Sequence, residues 1–334
     1  MRAAAGLAAI VLVAAAPGST IAPDVRGVLS RDFKFTPSDF ADLERGRIVK
    51  RGLDAAAAGE VAVLGAVRVN ARAEAFVERV RNIEEFKRGP DIIQIGRFSN
   101  PPTLNDLDRL AIGKDDFDLR KCRVGSCDIR LSAHIIGRFQ REIDWNAPDA
   151  DRRAAVLFKQ VLLDHVRAYI AGSPGRMTQY DDEKRVVRPV DDFAGLLKSS
   201  PYVGALLPDL PAHLRDPIAN PLSGAEDFLY WSKEKFGLTP FITVTHVVMT
   251  HAALDVRLIA SRDVYSSRYF DASLSYSIAS PAVGIPKAFY LVYANRSRAA
   301  GLKGAFAALR RSIVERRAKN AVEETLKNIK AKLE

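Results

Sequence analysis

Along the first third of the chain the spacing of apolar residues changes period several times. In "FTPSDFADLERG" Thr36 is placed to cap a short helix, with Pro37 at its first position, Asp39 in its first turn and Gly46 just past its end. "RIVKRGL" and "EVAVLGAVRVN" follow across the Ala/Gly-rich "DAAAAG". Val61, Val63, Gly65, Val67 and Val69 alternate along one face, which predicts a strand and, with its neighbour, a hairpin. Two short helices are expected over 71–81 and 83–87, capped by Asn70 and Asn82, the second with Glu85 completing a capping box. "DIIQIGRF" resumes strand character, and "CDIRL" is a further candidate strand.

From residue 133 to about 215 the period becomes helical. Phe158, Leu162, Val166 and Tyr169 form one stripe, closed by Gly172. The Pro-rich "PYVGALLPDLPAHLRDPIANPLSG" reads as irregular, and "EDFLYWSKEKFG" places Phe228, Trp231 and Lys235 at helical spacing among further rings. "PFITVTHVVMTH", "VRLIASRDVYSSRYF", "FDASLSYSIAS" and "KAFYLVYANRS" return to strand composition. The apolar residues Leu302, Phe306, Leu309, Ile313, Ala318, Val322, Leu326 and Ile329 predict a long last helix over 299–333 with one packed face.

The order of helix, hairpin, two short helices, antiparallel strands and long last helix resembles the START-related, or helix-grip, superfamily. "RIVKRGL", "EVAVLGAVRVNA", "RAEAFVERVRNIEEFKRGPDIIQIGRF" and residues 241–334 carry the likeness, about half of the chain. The resemblance implies an α+β fold in which a curved antiparallel sheet grips the C-terminal helix and encloses a cavity for a lipid or other hydrophobic small molecule. On this reading residues 30–131 and 225–334 form the START-like domain, and 132–224 are a helical insertion that departs from the family pattern.

Composition narrows the class. The 334 residues are 48% hydrophobic and 27% charged, a globular balance with ample core material. "MRAAAGLAAIVLVAAAPGST" has one Arg, an uncharged run too short to span a bilayer, and small residues after it. This is the layout of a signal peptide over 1–22, cleaved between Ala16 and Ala22, and it predicts a periplasmic or secreted protein. Export makes Cys122 and Cys127 a local disulfide rather than a metal or redox pair.

The net charge of +10 is concentrated at the C-terminus, where residues 296–334 hold eleven Lys/Arg against four Glu. A face bearing Arg310, Arg311, Arg316 and Arg317 is suited to an anionic membrane or polyanion, or is simply solvated. No nucleic-acid partner is expected. No nucleotide, metal or nucleophile-elbow motif occurs, so neither a cofactor nor a metal is expected.

Among single residues, His246 shares a strand face with Ile242, Val244 and Val248, a position for either a hydrogen-bonded core histidine or a cavity anchor. Ser273 and Ser275 fall on a polar face that reads most simply as solvent-facing, unless Arg268, Tyr269 and Asp271 meet His246 at a cavity end. His246, Trp231, Tyr265, Tyr269 and Tyr293 are therefore the expected ligand contacts. Three functions follow. The first is an exported carrier of a hydrophobic molecule, acting at a membrane surface. The second is a cyclase- or hydrolase-like enzyme on the same scaffold, with His246 and Asp271 as acid/base candidates. The third is an interaction protein that docks through its helical insertion.

Overall fold

The computed structural model describes residues 21–113, 116–172, 177, 179–183, 185–235, 239–302 and 307–334. Its centre is one open antiparallel sheet of eight strands: β1 (Val49–Gly52), β2 (Glu60–Val69), β3 (Ile92–Arg97), β4 (Glu226–Lys235), β5 (Pro240–His251), β6 (Arg257–Ser266), β7 (Ala272–Pro281) and β8 (Phe289–Arg298). Their spatial order is β1-β2-β8-β7-β6-β5-β4-β3, so the N-terminal strands flank the C-terminal ones, β2 pairing with β8 and β3 with β4. The fold is α+β, and its sheet and long last helix are compatible with a helix-grip arrangement.

Ten α-helices are described: α1 (Pro23–Asp32), α2 (Pro37–Glu44), α3 (Ala73–Arg81), α4 (Ile83–Phe86), α5 (Ala133–Glu142), α6 (Ala150–Ile170), α7 (Pro189–Lys198), α8 (Tyr202–Ala205), α9 (Leu210–Arg215) and α10 (Ala307–Leu333). The Thr36–Asp39 capping box starts α2, and Gly46 follows it in the left-handed region at φ 75°. Asn82 makes no side-chain cap to α4, and α3 starts after Arg72 rather than Asn70, so those two expected caps are not formed.

Both sheet faces are covered, because the strands supply apolar side chains on both. One face carries α3, α4 and α10 over Val67, Val69, Val247, Met249, Phe289 and Leu291. Gly65 lets α10 come close: a Cβ there would lie 2.3 Å from a Val322 methyl and 2.7 Å from one of Leu326. The opposite face is covered in two parts, by α1, α2 and α7–α9 over the β1–β8–β7 side and by α5 and α6 over β4 and β5. The residues of 132–224 thus share their cores with the strands.

Several elements differ from the sequence reading. "EDFLYWSKEK" is strand β4, held between β3 and β5, where two ladders of hydrogen bonds override the helical spacing of its rings. "CDIRL" is not a strand, and the Pro-rich stretch contains α8 and α9. α10 begins at Ala307, with 303–306 outside the described residues. Cys122 and Cys127 are disulfide-bonded. The disulfide is compatible with export, and among the described residues no helix is long and apolar enough to cross a membrane. The expected signal segment lies outside the described residues except for Ile21 and Ala22, which are buried against α1 at 2% and 4% exposure.

Candidate functional site

The α10 face of the sheet is divided. Toward one end it is apolar and filled, whereas toward the other four adjacent strands present Thr243 and Thr245 (β5), Ser261 and Asp263 (β6), Ser273 and Ser275 (β7), and Tyr293, Asn295 and Ser297 (β8). Strand alternation aims all nine side chains the same way. Above them α10 offers only Val314, Ala318, Ala321 and Val322, too short to fill the gap, and a cavity of about 280 Å³ remains. That is just below the usual 300–1,000 Å³ of small-molecule sites.

A hydrogen-bonded line crosses its floor. Lys87, beside α4, donates to Glu234 Oε1 at 2.8 Å and to the Tyr230 hydroxyl at 3.2 Å. Tyr230 lies directly across the ladder from Thr245, whose hydroxyl donates to Asp263 Oδ1 at 3.0 Å. Tyr230, Thr245 and Asp263 are direct cross-strand neighbours, so sheet register alone builds this row. Ser232 donates to Glu234 at 2.7 Å and is bonded to Thr243 at 2.9 Å. Farther along, Asn295 Nδ2 donates to Ser275 at 2.9 Å, and Ser275 meets the Tyr293 hydroxyl at 3.2 Å.

The two carboxylates of this cavity are pushed apart. Burial raises Asp263 to about 7, only partly opposed by the Thr245 hydroxyl, and the Glu234 charge raises it further. Burial acts on Glu234 in the same sense, but the Lys87 ammonium and the Ser232 hydroxyl outweigh it and hold Glu234 below its ordinary value. Lys87 is raised in turn: burial opposes its charge, while Tyr230 and Glu234 overcome that effect. Side-chain exposures of 28% for Lys87 and 22% for Glu234 show that solvent reaches the pair. One acid is thus held ionised while the other exchanges its proton near neutral pH, the condition for acid/base division of labour.

Of the expected ligand contacts, only Tyr293 lines this cavity. His246, Trp231 and Tyr265 lie on the opposite face, beneath the helices. The indole N–H of Trp231 donates to the Asp106 carbonyl at 2.8 Å, and the Tyr265 hydroxyl donates to that of Arg130 at 3.1 Å. Tyr269, at φ 65°, packs edge-on against Phe241 and donates to the Thr239 carbonyl. Asp271 does not meet His246; it is buried against Arg130 at 2.7 Å. Ser273 and Ser275 face the cavity rather than open solvent. Arg310, Arg311, Arg316 and Arg317 are all exposed on α10, together with Leu309 and Ile313.

His246 belongs to a separate cluster that ties α6 and α9 to β4. Asp227 Oδ1 accepts from Nε2 of both His246 (2.7 Å) and His213 (2.9 Å), while the Tyr169 hydroxyl bonds His246 Nδ1 at 2.9 Å. His213 Nδ1 faces the Asn220 carbonyl at 2.9 Å, so both of its ring nitrogens meet oxygen atoms. Burial opposes the charge on Asp227, yet the two imidazoles hold its carboxyl below the usual range. Burial likewise lowers His246, against the pull of Asp227. These contacts use up the ring nitrogens, and no group of His, Cys, Asp and Glu able to hold a metal occurs among the described residues.

No protein-family model, curated protein or solved structure matches the chain. Other depressions, of about 270, 300 and 410 Å³, lack the row of polar side chains that distinguishes the cavity under α10. That row was missed in the sequence because its members come from six separate segments. The alternation in "SLSYS" was the one local signal for it.

Proposed function

We propose that this chain is an exported, START-like binding protein that holds a small amphiphilic molecule between its sheet and α10. The observation that carries the reading is the divided sheet face, with a polar floor left uncovered beneath an apolar roof. Filling that space with larger side chains would be the more stable solution for a purely structural core. At about 30 Å³ per water molecule, the space equals about nine waters. It suits a single ring or short chain rather than a two-chain lipid. The leader-like N-terminus and the disulfide support export.

Native mass spectrometry of the protein recovered from its exported compartment tests this, alongside Ser275→Phe, which fills the cavity floor. A stoichiometric adduct present on the parent and missing from the variant is the expected result. An adduct retained by the variant, or an apo parent that gains no thermal stability from any ring-bearing amphiphile, would overturn it. A second reading, catalysis in the same cavity, draws on the opposed protonation of Asp263 and Glu234. Conversion of a bound molecule, lost in Asp263→Asn, would favour it.

A further inference from the structure

The charges around the cavity do not cancel. Lys87 and Glu234 neutralise each other at 2.8 Å, but Asp263 has no ion-pair partner among the described residues and receives one hydrogen bond, from Thr245. Its sequence neighbour Arg262 points through the other face, where it donates to the Leu214 and Arg215 carbonyls. Ser273, Ser275, Tyr293, Asn295 and Ser297 bond one another. A carboxylate with spare acceptor capacity therefore faces a roof that contributes no charge. An isolated ionised group in such a place is costly unless a cation accompanies it.

We propose that the cavity selects a ligand bearing a protonated amine, whose ammonium group docks on the Asp263 carboxylate while its apolar part lies against Val314, Ala318 and Val322. The inference rests on the binding reading above and names the chemistry of its ligand. Tyr230, Tyr293, Phe241 and Phe270 also line the space, and aromatic faces attract cations. Where Asp263 is ionised, a neutral ligand would leave its charge without compensation, and an anionic one would add a second negative charge.

Burial holds the empty site largely protonated below about pH 7. Docking of an ammonium ion transfers that proton to solvent, leaving carboxylate and ammonium in contact. Binding then releases about 0.9 proton at pH 6 and about 0.1 at pH 8, and tightens about tenfold across that range while the amine stays charged.

Isothermal titration of the full-length mature protein with 2-phenylethylamine, 2-phenylethanol and phenylacetate, in two buffers of different ionisation heat, tests this. The amine should bind at least about tenfold tighter than the alcohol at pH 8, the value of one charge-assisted hydrogen bond. Asp263→Asn should erase that preference while alcohol binding persists. An alcohol or acid that binds as tightly as the amine to the parent protein, or an amine preference that survives in the variant, overturns the assignment and leaves the binding reading standing. If none of the three binds at millimolar concentration, both fall.

Discussion

Asp263→Asn in the ligand-free protein should be stabilising, by an amount set by pH. The folded protein holds the Asp263 carboxyl at about 7 against an ordinary value of 3.8. Below about pH 4 the group is neutral in both states and contributes nothing. Between about pH 4 and pH 7 the unfolded chain gives up its proton while the folded chain keeps it, so stability falls as pH rises. Above about pH 7 both forms are ionised and the penalty is constant. At 1.36 kcal/mol per pH unit its ceiling is about 4 kcal/mol, and water entering the cavity should reduce it to about 2 kcal/mol. Asparagine cannot ionise and can still accept from Thr245. Urea denaturation of both proteins from pH 4 to 8.5 should therefore show a stability gap that opens across this window, in favour of the variant. A gap that does not vary with pH, or one that favours the parent at pH 8, would show that Asp263 is not held protonated by its surroundings.

Other substitutions test other parts of the structure. Gly65→Val places methyl groups where Val322 and Leu326 already lie, and should cost about 2–3 kcal/mol and speed proteolysis within α10; unchanged stability would mean that the helix is not seated there. Asp227→Asn removes the anion shared by two buried imidazoles and should lower stability by about 2 kcal/mol in urea denaturation, a figure discounted for the 35% exposure of the carboxylate; a loss below about 0.5 kcal/mol would refute the latch between β4 and the helices. If the exposed arginines of α10 meet membranes, the parent should co-sediment with anionic but not neutral vesicles at low salt, and changing Arg310, Arg311, Arg316 and Arg317 to Gln should remove up to about 4 kcal/mol of that binding. No sedimentation of the parent would discard the membrane contact.

Much of the sheet was legible because its alternation is strong. "EVAVLGAVRV" gave the correct face for Val61 to Val69 and marked Gly65 as the position without a side chain. Helix α1 escaped notice, although Val25, Val28 and Leu29 sit at helical spacing behind Pro23, because it adjoins the leader-like segment. For β5 the difficulty was different. "FITVTHVVMTH" is buried on both faces, so periodicity could not say whether His246 or Thr245 looked toward α10. His246 faces the helices opposite α10, while Thr245 faces the cavity. Asp263 was not singled out, since nothing local in "SRDVYSS" shows that burial and a roof of small side chains would shift its protonation. Pairing of Asp227 with two histidines likewise depends on contacts across β4, β5 and α9.

Helix α10 performs two tasks along its length. Its second half is fastened by Val322, Leu326 and Ile329 against the sheet, close over Gly65, whereas its first half presents Val314 and Ala318 to the cavity and Leu309 and Ile313 to solvent. Changes of size at positions 314 and 318 would therefore reshape the ceiling of the binding space while leaving the fastened half untouched. Descendants of this chain could diverge in what they recognise by altering a single turn or two of one helix, with the strands that carry the polar groups kept as a common floor.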